Sequence, residues 1–473
     1  MSANSVVKKF SISTLANSIV LLVSIFSTLV FPKILSIEDY SYWQVYVFYT
    51  GFVTIAGLGW VEGIYLRNGG KRYQELEKSI YAFQTYGLLA FVSLVFLTIG
   101  IISWFTVVDR KLATVIILTC MEGAIYNLRV YPLYVLQATD RIKEFSISIV
   151  IGRGIFFITS LILLLLKQAD LYFLVFCDLL GCTCCCTYGF IKCRDKLFGK
   201  PCDFSQGIKE AKNNISVGFS LMAANMVGVA ITGVIKYAVQ TYWSIVEFGK
   251  ISLSITVTNL FLKFTTAVGT VLFPMLCHYS NEKLRNIYSS MNTMLEYIIS
   301  VALAFYYPVK IVLNMYLPQY TESLEYMGYL LPICLFETKV SLLLNTYYKA
   351  MRKEKVLMVV NLLDLGLSAV FAIISTAVFS DVKLAVFSIL IVLAIRSFVL
   401  ENILCRRYLK TTHKFPGGFS LLIALVFVLS NGYIGGWLGV LIYSGFVCIA
   451  CLIGRNMIKN GMKMFLRKKE NET

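Results

Sequence analysis

Charge is scarce along this chain, and negative charge is scarcest. Only 15% of the 473 residues are charged, with 26 Asp and Glu against 43 Lys and Arg. A water-facing globular domain needs more polar surface than that. There are two histidines, His278 and His413, both in polar breaks. A histidine-built metal centre is therefore not expected, and no cofactor is. No P-loop is present, so the chain does not hydrolyse ATP by itself. No run alternates polar and apolar residues over about ten positions, as a membrane β-barrel would require. Long polar insertions are missing too, which argues against an enzyme with a large extracellular site.

What is abundant is apolar surface: 58% of residues are hydrophobic and the mean hydropathy is +0.74. Lipid offers backbone groups no hydrogen-bond partners, so continuous apolar runs of this kind must be helices. The expected class is an all-α polytopic membrane protein of about fourteen transmembrane helices. The runs are sized to a hydrocarbon core of ~30 Å. They fall near 10–32, 43–66, 80–104, 112–136, 145–166, 171–191, 215–239, 248–276, 291–313, 324–347, 356–379, 383–404, 416–431 and 436–454. Most of the 13 cysteines sit inside these runs, where they read as small polarizable helix residues.

The first polar break, residues 31–43, closes one run at Pro32 and opens the next with Tyr40, Tyr42 and Trp43. Those aromatics are expected at the headgroup level, where a helix pair turns. The pattern Ser36-Ile37-Glu38-Asp39-Tyr40-Ser41 returns as Ser244-Ile245-Val246-Glu247-Phe248-Gly249. Such an echo suggests a duplicated bundle.

Charge orients the chain. Alternate loops, beginning with Lys8 and Lys9, hold thirty basic residues; the other set holds only Lys33, Arg110, Lys111, Lys167 and Lys383. By the positive-inside rule both termini are cytoplasmic and the span count is even. The net charge of +17 thus reflects membrane topology, and no nucleic-acid partner is expected.

The chain resembles the polysaccharide transporters of the multidrug/oligosaccharidyl-lipid/polysaccharide flippase superfamily, above all the Wzx-like O-antigen flippases. The features that carry the resemblance are Lys8-Lys9-Phe10, Phe31-Pro32-Lys33-Ile34-Leu35, Glu38-Asp39-Tyr40, Gly57-Leu58-Gly59, Phe273-Pro274-Met275-Leu276 and Tyr347-Tyr348-Lys349-Ala350. Relatives often carry Gly after the Asp-Tyr pair, where this chain has Ser41, and an acid near the end of the seventh span, where it has Lys236. The resemblance implies two six-helix lobes around a central cavity lined by spans 1, 2, 7 and 8, plus two C-terminal helices. The corresponding organisation is an N-terminal lobe over 1–191, a cytoplasmic linker over 192–214, a second lobe over 215–404, two helices over 405–454 and a basic tail over 455–473. It also implies a flippase in the bacterial plasma (inner) membrane. The cargo would be an undecaprenyl-pyrophosphate-linked oligosaccharide carried to the outer leaflet by alternating access. Its partners would be that lipid-linked substrate, the bilayer, and other polysaccharide-assembly membrane proteins.

Helical spacing supplies candidate residues. Asn259 and Lys263 share a face of span 8, Asn225 and Lys236 belong to a polar stripe on span 7, and Asn17 begins one on span 1. Charges inside a bilayer cost at least ~2.5 kcal/mol each, so they need partners or water. Eight bases fall inside spans: Arg129, Arg153, Lys236, Lys250, Lys263, Lys310, Lys339 and Arg396. Lys250 and Lys310 lie near span ends and can snorkel. Glu122 with Arg129, and Arg396 with Glu401, are close enough in sequence to pair. The candidate substrate-binding set is therefore Lys263, Lys236, Arg153, Lys339, Arg396, Asn259, Asn225 and Asn17. Ammonium and guanidinium groups suit a pyrophosphate, and amides suit sugar hydroxyls. Glu62, Asp178, Glu337 and Asp364 are candidates for coupling protons or sodium. Three other readings stand beside this one: a lipid II flippase, a drug/cation antiporter of the same superfamily, and a membrane glycosyltransferase or polymerase.

Overall fold

A computed structural model gives the fold and describes residues 3–276, 281–410 and 416–455. The side chains of 263–276, that of Lys263 included, lie outside the described ones, as do His278 and His413. The described residues form helices joined by short turns, with no strand among them. The chain is a multi-pass membrane protein: ten helices are long and apolar enough to cross a membrane, and two bent helix pairs would each make one more span. The thirteenth expected span is a shorter apolar helix over Gly418–Ile434, and the eighth coincides with the helix Ile245–Leu276.

The chain divides into two compact units, one ending at Val229 and the other starting at Ala230. The first unit opens with α1 (Ala3–Ile34) and α2 (Ile37–Thr50). Ser36 caps α2 by accepting the Asp39 N–H at 3.0 Å. Tyr40, Tyr42 and Trp43 occupy the first turns of α2 and are buried, with the Trp43 ring 5.2 Å from Phe31 and stacked on Phe156. The helix begins so close to the turn that its first aromatics already face the interior of the unit.

Span 2 is broken. A 3-10 turn (Val53–Gly57) leads to Leu58 and Gly59, both with left-handed backbone, and then to α3 (Trp60–Asn68), bent by 65°. A break frees backbone carbonyls that lipid cannot satisfy. Here the Asn127 amide donates to the Val53 carbonyl at 3.1 Å. α4 (Lys78–Thr106), α5 (Arg110–Ala138), α6 (Ile142–Leu165) and α7 (Leu171–Lys192) follow, and α5 to α7 pack closely on one another. After a short helix α8 (Arg194–Leu197), α9 runs unbroken from Phe204 to Tyr242. The polar stretch from 204 onward is thus the start of a long helix. The boundary between the units falls within α9.

The first half of α9 packs against α3 with almost no spacing. A Cβ at Gly63 would lie 1.8 Å from the Asn214 carbonyl oxygen, and one at Gly218 would lie 1.9 Å from the Gly59 oxygen. Only glycine permits that approach. Arg67 at the end of α3 reaches Glu210 at 2.7 Å and Asn214 at 2.6 Å.

The second unit contains α10 (Ile245–Leu276), α11 (Asn281–Ala304), α12 (Tyr306–Tyr316) and α13 (Thr321–Leu330). α14 (Ile333–Thr338) passes through a π-helical segment, Lys339–Leu344, into α15 (Asn345–Ala350). α16 (Glu354–Ile373), α17 (Val382–Ile403), α18 (Gly418–Leu429) and α19 (Gly436–Ile453) complete it. Its core joins Tyr288, Leu343, Tyr347, Tyr348, Leu400 and Leu404. α16, α17 and α18 each end in a further π-helical turn. Insertions of this kind re-aim side chains and concentrate at functional sites.

Candidate functional site

Among the described residues, intramembrane charges gather in both units. In the first, Arg153 on α6 donates to Asp178 on α7 at 3.3 Å, and the Tyr46 hydroxyl donates to the other oxygen of Asp178 at 2.9 Å. Glu122 on α5 is buried beside them, with the Cys182 thiol 3.9 Å away. The ligand atoms of Glu122, Asp178 and Cys182 all lie within 4.8 Å of one another. A cation would fit the donor set, but Arg153 already supplies positive charge to Asp178. Arg129 does not form an ion pair with Glu122; its guanidinium lies 5.0 Å from the centre of the Tyr126 ring. Glu62 on α3 is buried apart from these residues and accepts from the Thr54 hydroxyl at 3.3 Å.

In the second unit, Lys339 opens the π-helical segment and is fully buried, at 0% exposure. Its ammonium donates to Glu296 on α11 at 2.7 Å, to Glu401 on α17 at 2.9 Å, and to the Ser420 hydroxyl on α18. Gly417 borders this network with φ at +81°, and a Cβ there would lie 2.9 Å from Glu401 Oε2. A cavity of about 190 Å³ lined by Asn292, Glu296, Glu401 and Gly417 opens beside it. Arg396, one turn earlier on α17, donates to Glu337 at 2.9 Å and to Asn361 at 3.0 Å, with Asp364 at 3.9 Å.

The structure therefore brings together residues that sequence reasoning had sorted into separate roles. Arg153 meets Asp178, and Arg396 meets both Glu337 and Asp364. The expected pairing of Arg396 with Glu401 is replaced. Five residues along a helix turn the two side chains about 140° apart, so each finds a different neighbour. Lys339 takes Glu401 instead. Glu296, its other partner, was missed, although a lone acid inside an apolar run was the available signal. The two networks in this unit set four acids against two bases.

Among the described residues, the remaining candidates lie outside these networks. Lys236 stands near the end of α9, half-buried, with its ammonium 5.0 Å from the centre of the Phe248 ring on α10. Asn17, Asn225 and Asn259 are exposed on α1, α9 and α10. The degree of exposure also separates the paired bases. The Arg153 side chain is 41% exposed at the middle of α6, while those of Arg396 and Lys339 are at 9% and 0%.

No protein-family model matches the chain, and no curated protein sequence does. Solved structures do match in fold. The chain is similar to "Lipid II flippase MurJ, inward closed conformation", with a TM-score of 0.64 at 14% identity, over 95% of this chain and 99% of that one. It is also similar to a multidrug resistance MATE family transporter of the MOP superfamily in an inward-facing conformation. There the TM-score is 0.63 at 12% identity, over 85% of this chain and 98% of that one. At such identities the likeness establishes architecture: the chain shares the fold of these two structures.

Proposed function

We propose that the protein is a flippase that moves an anionic, lipid-linked oligosaccharide across the bacterial plasma membrane, with both termini cytoplasmic. Undecaprenyl-pyrophosphate is the carrier that suits its charges, and an O-antigen or other surface-polysaccharide repeat unit is the proposed cargo. The observation that carries this reading is polar side chains left exposed inside apolar spans. Asn225 and Asn259, near the middles of α9 and α10, are exposed, and Arg153, near the middle of α6, keeps 41% of its side chain exposed. Facing hydrocarbon, an unpaired amide is costly and a guanidinium more so. Facing water and a sugar-phosphate headgroup, both are satisfied. The exposed groups are amides and a base, which suits hydroxyls and phosphate and disfavours a cationic drug.

In this reading Arg153 meets the pyrophosphate with the N–H donors that Asp178 leaves free. Lys339 and Arg396 hold helices together by neutralising Glu296, Glu401, Glu337 and Asp364. With the cell interior negative, outward movement of an anion is downhill by ~2.3 kcal/mol per charge per 100 mV. The test is flipping of a fluorescent polyprenyl-pyrophosphate oligosaccharide in vesicles holding the full chain, under an imposed potential. Potential-driven transport that falls at least tenfold in Arg153→Gln, with protein yield unchanged, is expected. Undiminished transport in that variant would remove Arg153 from the site, and transport of a cationic dye instead would favour the antiporter. The lipid II reading is kept because the fold match covers 95% of this chain, and the same vesicles loaded with lipid II separate the two.

A further inference from the structure

A groove on the wall of the first unit takes no part in the site above. α4 and α5 cross tightly where Gly123 meets the Phe96 ring; a Cβ there would lie 2.4 Å from the ring. Between this crossing and the turn at 107–109 the helices leave a space of about 500 Å³. Its walls include Leu97, Ile101, Trp104, Ile117 and Met121, and they are almost wholly apolar. That is the size of a ligand pocket. Gly100 forms its floor, and the nearest atom to a Cβ there is on Ile117 at 4.0 Å. The groove follows one face of α4 from Leu97 to Phe105, about 12 Å of helix.

The turn end of the groove carries charge. Arg110 folds back so that its guanidinium donates to the Trp104 carbonyl at 2.8 Å and lies 5.1 Å from the centre of the Trp104 ring. No acid pairs with Arg110 among the described residues, whereas the adjacent Lys111 is held by Glu38 at 3.0 Å and Asp39 at 2.7 Å. An apolar slot between two spanning helices, narrowed where Phe96 meets Gly123 and carrying an unneutralised guanidinium and a tryptophan at the other end, has the shape and charge of one kind of amphiphile. Tryptophan marks the headgroup level. Guanidinium forms charge-assisted bonds with phosphate.

We propose that the α4–α5 groove is a binding site for an anionic phospholipid, with one acyl chain along Gly100 and the phosphate on Arg110. At about 500 Å³ the groove suits the upper part of an acyl chain and would hold only a small fraction of a polyprenyl tail. Binding here is independent of what the protein transports.

The test uses the full chain in vesicles containing trace phosphatidylglycerol or phosphatidylcholine, each with a photoactivatable diazirine in the acyl chain. Cross-linked peptides are mapped by mass spectrometry. The phosphatidylglycerol probe should label the peptides containing 97–105 and 117–121 several-fold more than the phosphatidylcholine probe does. Arg110→Gln, which removes the charge together with its contacts to Trp104, should bring the two probes level. Gly100→Phe should reduce labelling by both at this site while leaving unchanged the labelling of α16, where Leu362 and Leu363 are exposed. Equal labelling by both probes in the wild-type protein would show ordinary annular lipid and overturn the proposal. Displacement of the phosphatidylglycerol probe by an equimolar polyprenyl phosphate would overturn the choice of occupant.

Discussion

Replacing Lys339 with methionine should destabilise the second unit by about 3–5 kcal/mol, the usual loss when one partner of a buried ion pair is removed. The geometry places the loss in that range. Lys339 has no exposed surface, and its ammonium is the shared cation of Glu296 and Glu401, which are 5% and 1% exposed. Without it two carboxylates face each other in a space from which water is nearly excluded. A domain of 150–250 residues loses about 2–4 °C of Tm per kcal/mol. The full-length variant should therefore lose its monodisperse fraction about 6–20 °C lower than wild type when heated in detergent. The triple variant Lys339→Met, Glu296→Gln, Glu401→Gln removes all the charge and should recover most of that loss, because neutral side chains can share hydrogen bonds with Ser420. The reasoning fails if Lys339→Met melts like wild type and yet abolishes transport. That result would make Lys339 a substrate contact and the acids around it something other than its structural counterions.

Three further outcomes are expected. Gly63→Ala places a Cβ 1.8 Å from the Asn214 carbonyl oxygen, so it should lower stability by ~1–3 kcal/mol through overpacking; Gly366→Ala, with nothing within 4 Å, should be neutral in the same melting assay. Arg153→Lys should retain part of the transport that Arg153→Gln loses, with little change in melting, since an ion pair this exposed contributes little stability. Asp109 caps α5, accepting from the N–H groups of Lys111 and Leu112 and from the Tyr42 hydroxyl. Partial burial pushes its carboxyl up, but these donors and the Lys111 charge hold it below the ordinary carboxylate range. A depressed folded value means its stabilisation is complete above about pH 4 and is lost as pH falls through that lower value. Melting followed from pH 5 to pH 3 should thus fall less steeply in Asp109→Asn, which keeps a good cap.

The spans were legible in the sequence because bilayer thickness imposes a minimum apolar length on each of them. Each expected run overlaps a helix, from 10–32 within α1 to 436–454 over α19. The kinks were less legible. The break of span 2 needs Leu58 and Gly59 in left-handed conformation and a distant Asn127 to serve the freed carbonyl. Nothing local to residues 53–60 announces that partner. The echo of residues 36–41 at 244–249 now has physical content. Ser36 accepts the Asp39 N–H and Ser244 accepts the Glu247 N–H at 3.1 Å, so both copies contain a helix cap. The acids beside the two caps are then each taken by a lysine, Lys111 in one unit and Lys250 in the other.

The candidate site was legible only as a list of charges, because helical spacing tells which residues share a face and is silent on what lies across from that face. Lys339 and Arg153 look alike in sequence: each is a base deep in an apolar span. Their surroundings differ. Lys339 meets two acids and a hydroxyl from three other helices and has no donor left for a ligand. Arg153 meets one carboxylate through one nitrogen and keeps two fifths of its side chain exposed. A group that binds a passing anion must release it again, so it needs a partner weak enough to exchange and a surface open to the ligand. Arg153 satisfies both conditions and Lys339 satisfies neither. On the proposed function, Arg153 on α6 is therefore the first candidate for contact with the anion.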